Sequence, residues 1–171
     1  MSDDHPTHEI DALSLDLPDV TATLALGRRL AACARAGDII ALTGDLGAGK
    51  TELARAFVNA LPRPDGTPGT EHVPSPTFTL VQVYERQPAP VWHFDLYRLA
   101  TPDEVVELGW DEARAEGIVL VEWPDRLGPL APADRLDVTL FHPPEGPGRR
   151  AVLQAGDAWR ARLPALGEET A

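Results

Sequence analysis

The chain has 171 residues, 43% of them hydrophobic, and this size and composition predict a single globular domain over residues 1–171. Its net charge of −12 argues against autonomous tight binding to RNA or DNA, because proteins that grip nucleic acid alone usually carry a basic face. Cys33 is the only cysteine, so an internal disulfide is excluded. We predict a cytoplasmic protein without membrane contact, because the N-terminus is acidic and no apolar run approaches about 18 residues.

The first part of the chain predicts two strands, each followed by a helix. Asp19 or Thr21 can cap the first helix, because each side chain can accept a hydrogen bond from a first-turn N–H group. The expected elements are a strand at 8–16, a helix to about residue 36, a strand at 38–43 and a helix at 50–61. Residues 62–76 are rich in Pro and Gly and predict a long loop, which we expect to be mobile in the isolated protein.

The second part again alternates strands with helices and is predicted to close with a hairpin across residues 143–148. Expected strands lie at 79–84, 91–94, 117–122, 135–141 and 150–154, and expected helices at 102–108, 110–115 and 158–166. Such alternation indicates an α/β fold, and we predict a P-loop NTPase-like three-layer sandwich with a mostly parallel central sheet.

The segment at residues 44–51 reads Gly-Asp-Leu-Gly-Ala-Gly-Lys-Thr and matches the P-loop pattern G-x-x-x-x-G-K-[ST]. It lies between an apolar strand and an amphipathic helix, which is the context that a phosphate-binding loop requires. We expect its backbone N–H groups to cradle phosphates, Lys50 to reach the β- and γ-phosphates, and the Thr51 hydroxyl to bind Mg²⁺. The expected nucleotide-binding residues of the loop are Asp45, Leu46, Gly47, Ala48, Gly49, Lys50 and Thr51.

The choice of base follows from two rare residue types. Lys50 is the only lysine of the chain and Asn59 the only asparagine, so the Asn-Lys-x-Asp motif that reads guanine cannot be present. ATP is therefore favoured over GTP. The lone lysine also falls where a slender stem must carry a compact charge into the phosphate cradle, a place where the planar guanidinium of arginine fits badly.

A P-loop enzyme also needs an acid at the end of a neighbouring strand to hold the metal or its waters. Glu122 and Asp95 each follow an apolar strand, and the sequence leaves open which of them touches the metal. Thr77 ends the long loop and is either a turn residue or a switch-type contact to a γ-phosphate or metal. Trp123 is read as a core or interface anchor, and His93 as a partly buried, hydrogen-bonded imidazole without a ligand role.

Four blocks of sequence resemble the TsaE (YjeE) family, the bacterial ATPase of threonylcarbamoyladenosine formation on tRNA. They are residues 44–51, Ser-Pro-Thr-Phe-Thr-Leu-Val at 75–81, His-Phe-Asp-Leu-Tyr-Arg-Leu at 93–99 and Val-Glu-Trp-Pro at 121–124. The resemblance implies a cytoplasmic, magnesium-dependent ATPase with a slow intrinsic rate. It implies that the protein works with TsaB and TsaD to modify adenosine 37 of tRNAs that read ANN codons. TsaD would transfer the threonylcarbamoyl group, and this protein would contact tRNA only indirectly.

Motif matching carries the family's site onto this chain. It implies that Thr51 and Glu122 bind Mg²⁺, that Asp95 supports hydrolysis, that Thr77 belongs to a switch-like loop and that Trp123 is functionally required. It further assigns nucleotide contacts to Thr23, before the P-loop, and to Arg149, near the C-terminus. Two departures from the family's pattern, Glu52 in place of a second threonine and the Pro- and Gly-rich stretch at 62–73, remove no phosphate or metal ligand.

Two other functional hypotheses compete with the ATPase of this family. A small nucleotide or metabolite kinase would need an arginine-rich lid, and Arg149 with Arg150 is the only adjacent pair of arginines after the P-loop. A non-catalytic module would use ATP only as a structural ligand or switch. The two strand-end acids argue against that module.

Overall fold

The computed structural model describes residues 11–167, whose strands join into one seven-stranded sheet with the order β1-β7-β6-β2-β5-β4-β3. The strands are β1 (Ala12–Leu17), β2 (Ile39–Thr43), β3 (Val81–Tyr84), β4 (Val91–Asp95), β5 (Ile118–Glu122), β6 (Leu136–Phe141) and β7 (Arg149–Ala155). All seven predicted strands are present, and the first three residues of the strand expected at 8–16 lie outside the described residues.

The sheet is mixed, so the expectation of a mostly parallel sheet is confirmed only for its centre. β2 pairs in parallel with β5 and β6, and β4 pairs in parallel with β5. The pairs β1–β7, β6–β7 and β3–β4 are antiparallel. The reason lies in the connections, since the loops between β3 and β4 and between β6 and β7 are too short for the crossover that parallel neighbours need.

Between residues 11 and 167, six helices cover the two faces of the sheet. They are α1 (Val20–Cys33), α2 (Lys50–Ala60), α3 (Glu104–Glu107), α4 (Trp110–Glu116), α5 (Asp157–Arg160) and α6 (Leu163–Leu166). On one face, Leu120 of β5 belongs to a core with α1, α2 and α6; on the other, Val121 packs with α3, α4 and a 3₁₀ segment at Pro124–Leu130. The predicted α/β fold is confirmed as one mixed sheet with helices packed against both of its faces.

Two helix ends differ from the predictions. α1 stops at Cys33 rather than near residue 36, because the Asp38 carboxylate accepts a hydrogen bond from the Arg35 N–H at 2.6 Å and turns the chain into β2. The helix predicted at 158–166 is split into α5 and α6. Pro164 has no N–H to continue a helix and sits in the first turn of α6, and Arg162 between them pairs with Asp38 at 2.7 Å.

The long loop after α2 is fastened to the body of the protein. Asn59 of α2 exchanges two hydrogen bonds of 3.1 Å with the backbone of Glu71, and Arg55 Nε donates to the Val73 carbonyl at 2.6 Å. The buried Arg86 guanidinium donates to the Gly69 carbonyl at 2.8 Å. Within the described part of the chain, no helix has the length and apolar character needed to cross a membrane.

Candidate functional site

The P-loop connects the end of β2 to the first residue of α2, and its glycines make that turn possible. Gly49 lies at the N-cap of α2 with φ of 105°, a left-handed conformation that costs little only for glycine. Gly44 also has positive φ, and a Cβ there would meet the Leu140 carbonyl oxygen at 2.5 Å. No described side chain caps α2, so the N–H groups of its first turn remain available to an anion.

Lys50 points back into this loop and is only 5% exposed. Its Nζ donates to the Gly44 carbonyl and lies 3.8 Å from the centroid of the Trp123 ring. Burial lowers the pKa of Lys50 from its ordinary 10.5, and the nearby carboxylates, chiefly Glu122 and then Asp95, oppose that shift without cancelling it. The ammonium group is thus held, partly desolvated, at the mouth of the phosphate cradle.

The two strand-end acids lie side by side facing the P-loop. Asp95 of β4 is the register partner of Glu122 of β5, and the two residues are 5% and 2% exposed. The Thr51 hydroxyl donates to Glu122 Oε1 at 3.3 Å, while the Thr77 hydroxyl donates to Asp95 Oδ2 at 3.1 Å. Glu122 is therefore the acid beside the P-loop threonine, and Asp95 the acid beside the long loop.

Trp123 forms a wall of the same site. Its backbone lies in the left-handed region with φ of 58°, and its ring packs against Tyr97 with centroids 5.0 Å apart. The Tyr97 N–H donates to Asp95 Oδ1 at 3.1 Å, which holds the second oxygen of that carboxylate. The turn after β5 therefore places an aromatic face under Lys50 and beside both acids.

Thr23 and Arg149 border the P-loop from outside. Thr23 is buried on α1, and a methyl group placed on Gly49 would lie 3.7 Å from its Cγ2 atom. The Arg149 guanidinium donates to the carbonyl oxygens of Ala48 at 3.2 Å and Gly47 at 3.0 Å. Asp45 and Leu46 are exposed at the tip of the loop. The residues proposed from the sequence thus gather around one loop.

His93 also belongs to this group, although the sequence predicted no role for it. The side chain is fully buried on β4, and its Nε2 lies 2.7 Å from Glu122 Oε2. Its Nδ1 has no hydrogen-bond partner among the described residues, contrary to the expectation of a satisfied imidazole. The signal was its spacing, since residues two apart on a strand share a face and His93 stands two before Asp95.

The arrangement brings the uncapped start of α2, one ammonium group and two carboxylates together. Two nearly buried carboxylates share their surroundings with one ammonium group, so a further positive charge would be favourable there. Among the described residues, no cluster of three or more His, Cys, Asp or Glu could hold a metal ion.

Comparison with known proteins gives one consistent family. The family model for threonylcarbamoyl adenosine biosynthesis protein TsaE matches residues 17–151, which include every residue of the candidate site. A tRNA threonylcarbamoyladenosine biosynthesis protein TsaE from Nostoc sp. is 38% identical over 148 residues, which are 80% of this chain and 86% of the relative. The protein of the same name from Bacillus subtilis is 38% identical over 119 residues, 69% of this chain and 70% of the relative.

A further relative and a solved structure agree with these matches. The TsaE protein of Rickettsia felis is 36% identical over 118 residues, and the match spans 69% of this chain and 66% of the relative. The crystal structure of YdiB from Bacillus subtilis has a TM-score of 0.71 and 26% sequence identity, covering 91% of this chain and 93% of YdiB. The likeness in fold therefore extends over nearly the whole chain.

Proposed function

This chain belongs to the TsaE family of threonylcarbamoyladenosine biosynthesis proteins, and from that premise we propose that it is the ATP-binding and slowly ATP-hydrolysing component of the system. The modification it serves is N6-threonylcarbamoyladenosine at position 37 of tRNAs that read ANN codons. Its partners are TsaB and TsaD, its contact with tRNA is indirect, and it works in the cytoplasm.

The observation that carries the ATPase proposal is the meeting of the P-loop with two buried acids. Thr51 and Glu122, already joined by a hydrogen bond, are the residues that would hold Mg²⁺. Bound Mg²⁺ would offset negative charge on the phosphates. Lys50 would exchange its contacts with the Gly44 carbonyl and the Trp123 ring for phosphate oxygens.

Asp95 would position the water that attacks the γ-phosphate. Its carboxylate is held at both oxygens, by Thr77 and by the Tyr97 N–H, so it is oriented before any ligand arrives. A prepositioned carboxylate near the phosphate cradle can hold an attacking water in line, which lowers the barrier mainly through the transition state. Thr77 ties this function to the long loop.

The kinase alternative loses its sequence support in the structure. Arg149 donates to carbonyl oxygens of the P-loop, and Arg150 pairs with Asp16 of β1 at 3.0 Å. These contacts direct the two side chains to different places, the P-loop and β1, and favour the ATPase over the kinase.

The proposal is tested with Lys50→Ala and with Arg114→Ala as a matched control, which removes an exposed positive charge on α4. Lys50→Ala should lose most ATP affinity in calorimetric titration with Mg²⁺ and most ATP turnover, yet unfold at a similar temperature, because Lys50 gives its charge to the ligand. Arg114→Ala should behave as the original protein. Normal hydrolysis by a folded Lys50→Ala protein would exclude the P-loop as the ATP site.

A further inference from the structure

His93 is the buried titratable side chain that the proposed chemistry leaves without a part. It is fully buried on β4, beneath the edge of the sheet where the site opens. Its ring contacts Glu122 and not Asp95: Nε2 is 2.7 Å from Glu122 Oε2, and the structure gives no hydrogen bond from His93 to Asp95 among its described contacts. The other Glu122 oxygen, Oε1, faces the Thr51 hydroxyl at 3.3 Å.

We propose that His93 is a positioning residue that holds the Glu122 carboxylate so that Oε1 is presented to Thr51 and the magnesium site. The proposal rests on the proposed ATPase function and extends it to one more side chain. The two oxygens of Glu122 are divided between two tasks, Oε2 toward the buried imidazole and Oε1 toward the P-loop.

The register of the sheet brings His93 and Glu122 into contact. His93 pairs with Leu120 across the parallel strands, and Glu122 is two residues further on the same face of β5. A glutamate has three side-chain torsions to fix, and a short hydrogen bond from a rigid ring selects one arrangement among them. Partners of this kind commonly orient metal ligands, and their loss typically costs about 10- to 100-fold in metal affinity or activity.

The hydrogen-bond pattern also assigns the tautomer. A carboxylate can only accept, so the hydrogen lies on His93 Nε2 and Nδ1 presents a lone pair. Nδ1 has no hydrogen-bond partner among the described residues, so the contact with Glu122 is the one that fixes the ring.

The first test needs no nucleotide. In ¹⁵N-histidine-labelled protein, long-range correlation spectra distinguish the two tautomers, and the His93 signal should show the Nε2–H form. The same signal should change in Glu122→Gln, whose amide can turn a donor toward the ring. A His93 ring in the Nδ1–H form, or one indifferent to Glu122→Gln, overturns the contact on which the proposal depends.

The second test separates positioning from packing. His93→Leu fills the space but has no donor, whereas His93→Gln keeps a nitrogen donor that can reach Glu122. His93→Leu should raise the Mg²⁺ concentration needed for half-maximal ATP binding about 10-fold, with little change in the ATP affinity measured without metal. His93→Gln should need nearly as little Mg²⁺ as the original protein. The exposed His72→Leu is the control and should leave the magnesium requirement unchanged.

The outcomes distinguish the two layers of the proposal. If the unaltered protein binds ATP without any help from Mg²⁺, the proposed function fails, and the spectra still decide whether His93 holds Glu122. If magnesium helps the unaltered protein and His93→Leu needs no more of it, the positioning role is overturned. Should His93→Leu fail to fold, His93→Met takes its place as the variant without a donor; a raised magnesium requirement in His93→Met supports the role, and an unchanged requirement refutes it.

Discussion

At the scale of single residues, Lys50 can be observed alone because it is the only lysine of the chain. Lysine-selective ¹³C labelling should give one Cε signal, and its titration should show a pKa below the ordinary 10.5, since desolvation outweighs the attraction of Glu122 and Asp95. The lowered pKa means that the charge is lost at lower pH than in free lysine. ATP affinity, measured from pH 7.5 upward, should therefore decline before pH 10.5 is reached. A midpoint at or above 10.5 would contradict the desolvated environment.

The candidate site could be predicted from the sequence where its members are neighbours in the chain. The P-loop at residues 44–51 can be recognised because its glycines, its lysine and the start of the following helix are contiguous in the sequence. The contact of His93 with Glu122 joins side chains 29 positions apart and depends on which strands pair and in what register. A single sequence gives the spacing within each strand but not the register between strands. The two acids could therefore be predicted, whereas the contact of His93 with Glu122 could not.

At the scale of elements, Arg86 fixes the loop that leads from α2 to Thr77. Its buried guanidinium donates to the carbonyls of Val58 at 3.0 Å and Gly69 at 2.8 Å and pairs with Glu71 at 2.5 Å. Arg86→Met should lower the free energy of unfolding by about 3 kcal/mol, because buried carbonyls lose their donor. Limited proteolysis should also cut residues 62–76 faster than in the original protein.

Arg63→Met is the matched control for that experiment, because Arg63 lies in the same loop and its side chain donates one exposed hydrogen bond, to the Thr70 carbonyl at 3.3 Å. It should leave both unfolding and cleavage nearly unchanged. Equal cleavage rates in Arg86→Met and the original protein would show that Arg86 does not hold the loop. The loop was expected to be mobile in the isolated protein, and this pair of variants measures how far the contacts at 69–73 restrain it.

The fold followed from the sequence at its centre and less so at its borders. Short apolar runs predicted β2 and β5 closely, because parallel central strands are buried on both faces, and a helical pattern predicted α2. The hairpin predicted across residues 143–148 is the antiparallel pair β6–β7. The pairing of β1 with β7 joins segments far apart in the chain, and its direction depends on tertiary contacts. The 3₁₀ segment at Pro124–Leu130 has no periodicity by which to recognise it.

At the scale of the whole molecule, net charge and exposed surface point to dependence on partners. A chain at −12 repels the phosphate backbone of tRNA, so another subunit should make that contact. Phe78, next to Thr77, is 82% exposed, and Leu46 of the P-loop is 71% exposed. Contiguous apolar patches mark contact surfaces, and we propose that Phe78, next to the loop residue Thr77, contributes to a surface on which the partners dock.

The rate of hydrolysis should depend on the same partners. Fast P-loop hydrolysis usually needs an arginine finger, worth about 10³- to 10⁵-fold, and a closed, dry site. Among the described arginines, Arg149 donates to P-loop carbonyls, and the exposed Arg98 and Arg126 lie over the rings of Phe78 at 4.6 Å and Tyr97 at 6.0 Å. We expect a partner to supply the arginine finger. A partner that docks on Phe78 would reach the loop carrying Thr77, and through Thr77 the Asp95 carboxylate.

The isolated protein should therefore hydrolyse ATP slowly and bind tRNA weakly at physiological salt, and adding TsaB and TsaD should repair both deficits. Phe78→Ser should keep ATP affinity, because the side chain points to solvent, and should lose most of the stimulation. Val106→Ser, at a 45% exposed position on α3, is the matched loss of apolar surface and should keep the stimulation. Rapid turnover or tight tRNA binding by the protein alone would favour a self-sufficient enzyme. Full stimulation of Phe78→Ser would place the docking surface elsewhere on the molecule.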